Sequence, residues 1–110
     1  GAGWLTMEEV KWKSNGQITT HSPSTYKIPA VNDMPRSFNA EIFKDGRNKE
    51  KVINKSKTTG EPPLMNAMSV FFAIKDAISS VGNYHIIPTI DAPATPEKIL
   101  MSINSLKAKL

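Results

Sequence analysis

An α+β fold is what this sequence predicts, with short antiparallel strands and extended loops in the first half and two helices in the second. Three observations predict it. Apolar and polar residues alternate in several short runs before residue 57. Pro23, Pro29 and Pro35 break the chain between those runs. From Leu64 onward, apolar residues recur at three- and four-residue spacing, the period of a helix face.

The elements follow in order. Residues 1–10 are ambiguous, with Thr6, Glu8 and Glu9 able to open a helical turn. Residues 10–20, VKWKSNGQITT, predict a hairpin. Val10 and Trp12 alternate with lysines, Asn15-Gly16 suits a tight turn, and Ile18 resumes the strand. Residues 21–36, with their three prolines, predict an extended, irregular segment. Phe38, Ala40 and Ile42 alternate in residues 37–43, which predicts a strand; Asp45-Gly46 marks a turn, and Val52 and Ile53 centre another strand at residues 50–56. TTGEPP then forms a loop that meets a helix. Leu64, Met68, Phe71, Phe72, Ile78 and Val81 define that helix, with Gly82-Asn83 as its stop. After a short apolar stretch, YHIIPTI, a second helix starts at Thr95-Pro96-Glu97 as N-cap, first helical residue and first-turn acid. Ile99, Leu100, Ile103 and Leu106 give it one apolar face, and lysines enrich its end.

Composition narrows the function classes. A chain of 110 residues allows one domain with one modest core. Cysteine is absent, which excludes disulfides, thiol nucleophiles, cysteine-based zinc sites and iron–sulfur ligation within this chain. The composition fits a reducing compartment, and a cytoplasmic location is expected. No apolar run is long enough for a bilayer, and GAGWLTMEEV lacks the basic opening of a signal peptide. Net charge is +4 with a pI near 9.4. The basic cluster in KDGRNKEKVINKSK, residues 44–57, reads as a solvated loop and edge strand. Asp45 and Glu50 dilute it and no aromatics interleave with it, so no nucleic-acid partner is expected. The opening without methionine, and a first half whose Trp4, Trp12, Tyr26, Phe38 and Phe43 lack a regular amphipathic pattern, read as a piece of something larger.

Glu61 leads the candidates for chemistry. Pro62 and Pro63 stiffen the backbone beside it, so its carboxylate is aimed. A helix N-terminus favours the ionised form that a general base requires, and burial opposes it. Spacing alone favours a helix-capping acid, with the base as the alternative. His21 and His85 are far apart and lack partners at metal-ligand spacing, and His85, in an apolar run, reads as packed and hydrogen-bonded. Ser22, Ser24, Thr25 and Tyr26 read as loop hydrogen-bonders, since no Gly-x-Ser-x-Gly elbow surrounds them. Met65, Met68, Phe71 and Phe72 read as core. No metal ligands are assigned.

Three stretches in this order and spacing, GAGWLTMEEVKW, THSPSTYKIPAVNDMPRSFN and KSKTTGEPPLMNAMSVFFAIKDAI, resemble the C-terminal end of the molybdenum-binding subunit of xanthine dehydrogenases. These enzymes are molybdenum hydroxylases, as are aldehyde oxidases. The resemblance covers residues 1–92. PSTYKIPA and GEPPLM are its specific parts, and PSTYKIPA favours the xanthine branch. It implies that residues 1–110 form a single C-terminal segment of a molybdopterin-binding catalytic domain. The implied activity is hydroxylation of hypoxanthine or xanthine with water-derived oxygen.

Gly60, Glu61, Pro62 and Pro63 match the family's Gly-Glu-Pro-Pro motif, so Glu61 inherits the role of general base toward the water-derived oxygen at the metal. Gly60 is the residue implied to line the cofactor. The implied cofactors of the complete enzyme are a molybdenum–pterin centre, with [2Fe–2S] clusters and FAD on other domains or subunits; none is expected on this chain alone. The implied partners are the remainder of the molybdenum-binding subunit, the iron–sulfur and FAD parts, and a purine substrate. Self-association of the isolated chain through surface normally covered is also expected. Thr58 and Thr59 depart from the family's usual Lys-Ala-Val before the motif. The family's purine-orienting and pterin-binding residues lie upstream of anything that maps here.

Two other function classes remain beside this one. A non-catalytic interaction module derived from the same domain would tolerate change at Glu61. A small basic nucleic-acid binder would show steep salt dependence. Within the enzyme class, an aldehyde oxidase-type segment is the alternative.

Overall fold

The computed structural model describes residues 1–110. Three helices organise them: α1 (Ala2–Thr6), α2 (Pro62–Ser80) and α3 (Pro96–Lys107), with single 3-10 turns at Val31–Asp33 and Ile53–Lys55. The expected α+β fold with antiparallel strands does not form. Sheet-like pairing is confined to one antiparallel bridge between Trp12 and Ile18. The first half is instead irregular chain wrapped on and away from a helical nucleus.

The physical reason lies in what a strand needs. Its backbone groups require a paired neighbour and its apolar face requires a cover. Residues 37–43 have neither, and Ile42 and Phe43 remain 90% and 79% exposed. At residues 50–56 local bonds take over. Lys55 N–H donates to the Val52 carbonyl at 3.2 Å, and Ser56 N–H to that of Ile53 at 3.0 Å. Asn54 and Lys55 adopt left-handed φ values of 50° and 56°, which turn the chain back. Asn48 Nδ2 then donates to the Ser56 carbonyl at 2.9 Å. The expected hairpin survives only as its turn and the single Trp12–Ile18 bridge. Gly16 takes φ 83°, Gly16 N–H donates to the Lys13 carbonyl at 2.9 Å, and Thr19 N–H to that of Lys11 at 2.8 Å.

The core sits where the three helices meet. Ala67, Ile78, Ala94 and Leu106 are its buried apolar residues. Ala94 N–H donates to the Leu5 carbonyl at 2.7 Å, which ties α1 to the segment before α3. Buried Ser102 donates its hydroxyl to the Thr89 carbonyl at 2.9 Å. Gly82 allows a close approach in this core: a β-carbon there would lie 2.8 Å from Leu106 Cδ2. α2 ends at the expected place, but Asn83 and Tyr84, with φ 49° and 60°, supply the left-handed backbone rather than Gly82. Tyr84 N–H donates to the Ser79 carbonyl at 3.0 Å, the longer bond of a Schellman-type cap. α3 forms as its sequence predicts. The Thr95 hydroxyl accepts from Lys98 N–H at 3.4 Å, Pro96 occupies the first turn, and Lys107 sits in the last.

This nucleus is small for the chain. The radius of gyration is 18.3 Å, against about 13 Å for a compact domain of this length. The accessible surface is 9316 Å², against roughly 6,000 Å² for a folded monomer of this mass. Met65, Met68 and Phe72, expected in the core, are exposed on α2. A helix of 19 residues presents more apolar face than five-residue α1 and 12-residue α3 cover. No helix is long and apolar enough to cross a membrane.

Candidate active site

Glu61 stands at the N-cap of α2, with φ −85° and ψ −32°, followed by prolines in the first turn. Its carbonyl starts the helix, accepting from Leu64 N–H at 2.9 Å and Met65 N–H at 3.2 Å. Its carboxylate makes no capping hydrogen bond. The sequence explains why. A capping side chain accepts from the second or third residue of the helix. Pro63 has no N–H to give, and the N–H of Leu64 is already engaged by the Glu61 carbonyl. The two prolines thus preserve the helix start while removing donors a cap would use. The capping role that spacing favoured does not form, and Glu61 is left exposed with its carboxylate free. Gly60, directly before it, has open space where a β-carbon would stand.

The other sequence candidates do not converge on this place. His21 is exposed, with Nδ1 3.3 Å from the Thr19 carbonyl. His85, expected to be packed, is exposed, because the left-handed turn at Asn83 and Tyr84 swings it off the helix end. Ser22, Ser24 and Thr25 behave as loop hydrogen-bonders: the Ser22 hydroxyl lies 2.9 Å from that of Ser24 and 3.0 Å from that of Thr25. Arg47, Lys49, Lys55 and Lys57 line an open cleft of about 730 Å³ beside Phe43, and neither ion pair of the chain involves them. No group of three or more His, Cys, Asp or Glu side chains gathers as a metal-ligand set.

Contacts not foreseen from the sequence fix the surroundings of α1. Tyr26 Oη donates to Glu8 Oε2 at 2.7 Å, and this bond to a carboxylate raises the phenol's pKa. Glu9 lies between Lys11 Nζ at 3.0 Å and Lys98 Nζ at 3.8 Å. The hydrogen bond from Lys11 leads in holding the Glu9 carboxyl below its usual range. The Tyr26–Glu8 and Lys98–Glu9 contacts have no local sequence signature, since each joins segments that only the fold brings together, whereas Lys11 is two residues from Glu9.

Comparison with known proteins bears on what this arrangement serves. Residues 1–35 match the family model described as Molybdopterin cofactor-binding domain. Xanthine dehydrogenase of Oryza sativa subsp. japonica is 42% identical over 121 aligned positions, covering 99% of this chain and 9% of that protein. The chain belongs to the xanthine dehydrogenase family, as a molybdenum-binding segment. Xanthine dehydrogenase/oxidase of Rattus norvegicus is 46% identical over 104 positions, covering 90% of this chain and 8% of that protein. Xanthine dehydrogenase 1 of Arabidopsis thaliana is 43% identical over 113 positions, covering 93% and 8% respectively. The chain therefore spans less than a tenth of the length of these curated relatives.

Proposed function

We propose that the chain forms one wall of the catalytic centre in a xanthine dehydrogenase-type molybdenum hydroxylase, with Glu61 as general base. The observation that carries this reading is the free carboxylate at the N-terminus of α2. The residues present fit a molybdenum–pterin centre in this limited sense: Gly60 leaves room for close approach of a bulky group, and Glu61 offers an unengaged proton acceptor beside it. No ligating cluster accompanies them, so this chain contributes a base and a wall rather than ligands.

When bound, the cofactor supplies acidification of a water molecule and a two-electron acceptor. The chain's part is to take the proton. Glu61 accepts it on a carboxylate oxygen, and the partial positive charge at the start of α2 favours the anion that must be present before turnover. Pro62 and Pro63 restrict the backbone that carries Glu61 and leave its carboxylate without a competing capping bond. The substrate is a purine of the hypoxanthine or xanthine type. Iron–sulfur and FAD parts on other domains carry the electrons away, in a cytoplasmic enzyme. The remainder of the molybdenum-binding subunit covers the exposed apolar residues of the first half and of α2. Alone, the 110 residues do not turn over substrate and self-associate through that surface.

A second reading, a non-catalytic interaction module, shares the need for a partner surface and differs at Glu61. The test is xanthine turnover by the complete enzyme carrying Glu61→Gln, with molybdenum content measured in the same preparation. Retained molybdenum with turnover lowered by roughly 10²–10⁴ or more is the expected result. Nearly unchanged turnover would reject the base and favour the module. Assay of the wild-type enzyme with xanthine and with an aromatic aldehyde separates the xanthine branch from the aldehyde oxidase one.

A further inference from the structure

The start of α2 is held by something the motif itself does not contain. Gly1, at the N-cap of α1, lies directly against Pro63. A β-carbon on Gly1 would collide with the Pro63 carbonyl oxygen, and would stand 2.7 Å from the carbonyl carbon and 3.0 Å from Ala67 Cβ. A real β-carbon does not come that close to backbone, so any other residue here must push the first turn of α2 away from α1. Pro63 is two positions from Glu61, and Pro62 between them leaves little backbone freedom to absorb such a push. Displacement of Pro63 is therefore passed to Glu61. The backbone of α1 is itself anchored elsewhere. Ala94 N–H donates to the Leu5 carbonyl at 2.7 Å. Gly3, on the same short helix, is buried against Pro29 Cγ and Cδ, which a β-carbon would approach to 2.7 and 2.8 Å. α1 is thus a wedge fixed on two sides, with its glycine at the third side setting where α2 begins.

We propose that Gly1 is a positioning residue for Glu61: its missing side chain lets α1 seat on the Pro63 carbonyl and so sets the placement of the carboxylate. The inference rests on the reading of Glu61 as the base. It adds that a residue about sixty positions away in sequence, at the start of another helix, controls how well that base is aimed.

The experiment compares Gly1→Ala, Gly3→Ala and Glu61→Gln, singly and as Gly1→Ala/Glu61→Gln, in the complete enzyme. Gly1→Ala lowers kcat by about 10- to 100-fold, the scale of an ångström-level misplacement, with KM and molybdenum content kept. In the Glu61→Gln background the same change lowers kcat no further. Hydrogen exchange gives a readout independent of turnover. The amides of Leu64 and Met65, both bonded to the Glu61 carbonyl, exchange faster in Gly1→Ala, with or without cofactor. Gly3→Ala does not speed them, since its added methyl meets Pro29 and Glu8 rather than Pro63. Should Gly1→Ala not fold, Ala67→Val enlarges the same contact from the α2 side and must reproduce the kcat and exchange effects. Unchanged kcat and exchange in a folded Gly1→Ala or Ala67→Val enzyme overturns the proposal. So does an equal loss in the Glu61→Gln background, which places the effect away from the base. Full turnover by Glu61→Gln alone removes the base itself, and is read separately from these outcomes.

Discussion

Tyr26 reaches Glu8 across 18 positions of sequence, its hydroxyl donating to Oε2 at 2.7 Å in a partly buried setting. The bond pins the proline-rich loop of the first half to the exit of α1, the helix that seats α2. Replacing Tyr26 with Phe keeps the ring and removes the bond. Faster proteolysis or hydrogen exchange in residues 20–28, with lowered thermal stability of the complete enzyme at neutral pH, is expected. The pKa of this phenol is raised, first by the hydrogen bond to Glu8. The bond's contribution is therefore fully present below 10.0, the ordinary phenol value, and is lost as pH rises through the folded value. Tyr26→Phe and wild type converge in stability above that point, and a spectrophotometric phenol titration locates it.

Glu9 joins α1's exit to α3 through Lys98 and to the turn through Lys11. Its folded pKa is depressed, with the Lys11 hydrogen bond the leading cause. The stabilisation is present above 4.5, the ordinary glutamate value, and disappears as pH falls through the folded value. Glu9→Gln removes a small, salt-sensitive contribution, because both partners face solvent. Melting curves of the two proteins differ at pH 7 in low salt and converge as pH falls through the folded value, or in high salt.

Leu106 closes the core against Gly82 and is only 2% exposed. Leu106→Ala costs about 2–5 kcal/mol, read by denaturant unfolding. Gly82→Ala is also destabilising, since the added methyl meets Leu106 Cδ2 at 2.8 Å. In the double variant part of the Gly82→Ala cost is recovered, because truncating the leucine vacates the space the methyl needs.

Thr95→Ala removes the side-chain cap of α3 and costs about 0.5–2 kcal/mol. The long 3.4 Å bond to Lys98 N–H puts the expected value at the low end. Thr95→Ser, which keeps the hydroxyl, restores most of it.

The helices are legible in the sequence because their signals are local. Thr95-Pro96-Glu97 names a helix start by itself, and the spacing from Leu64 to Ile78 admits no other element. The strands fail because alternation states only which face wants cover. Phe38, Ala40 and Ile42 alternate as a strand does, yet no neighbour within these residues pairs with them. The same limit moves Met65, Met68 and Phe72 from an expected core to the surface. At the candidate site, GEPP locates the carboxylate, and its prolines already hold the reason a cap fails: one lacks the N–H that a cap at the second helical position would use. Spacing alone favours a cap there, and only a count of the available donors shows that none is free.

By itself the sequence determined two helices, a stiff Gly-Glu-Pro-Pro turn between irregular chain and α2, and a family resemblance carried by short motifs. Tertiary structure decided what no local pattern encodes. It set Gly1 against Pro63, Tyr26 on Glu8, and Gly82 on Leu106. It also left most of the first half unpaired, since 110 residues with so small a nucleus cannot bury the apolar surface they carry. Helix signals act over one turn of chain and survive without neighbours. Strand pairing, close approach and charge pairing depend on distant segments meeting, and that is settled only by the packing.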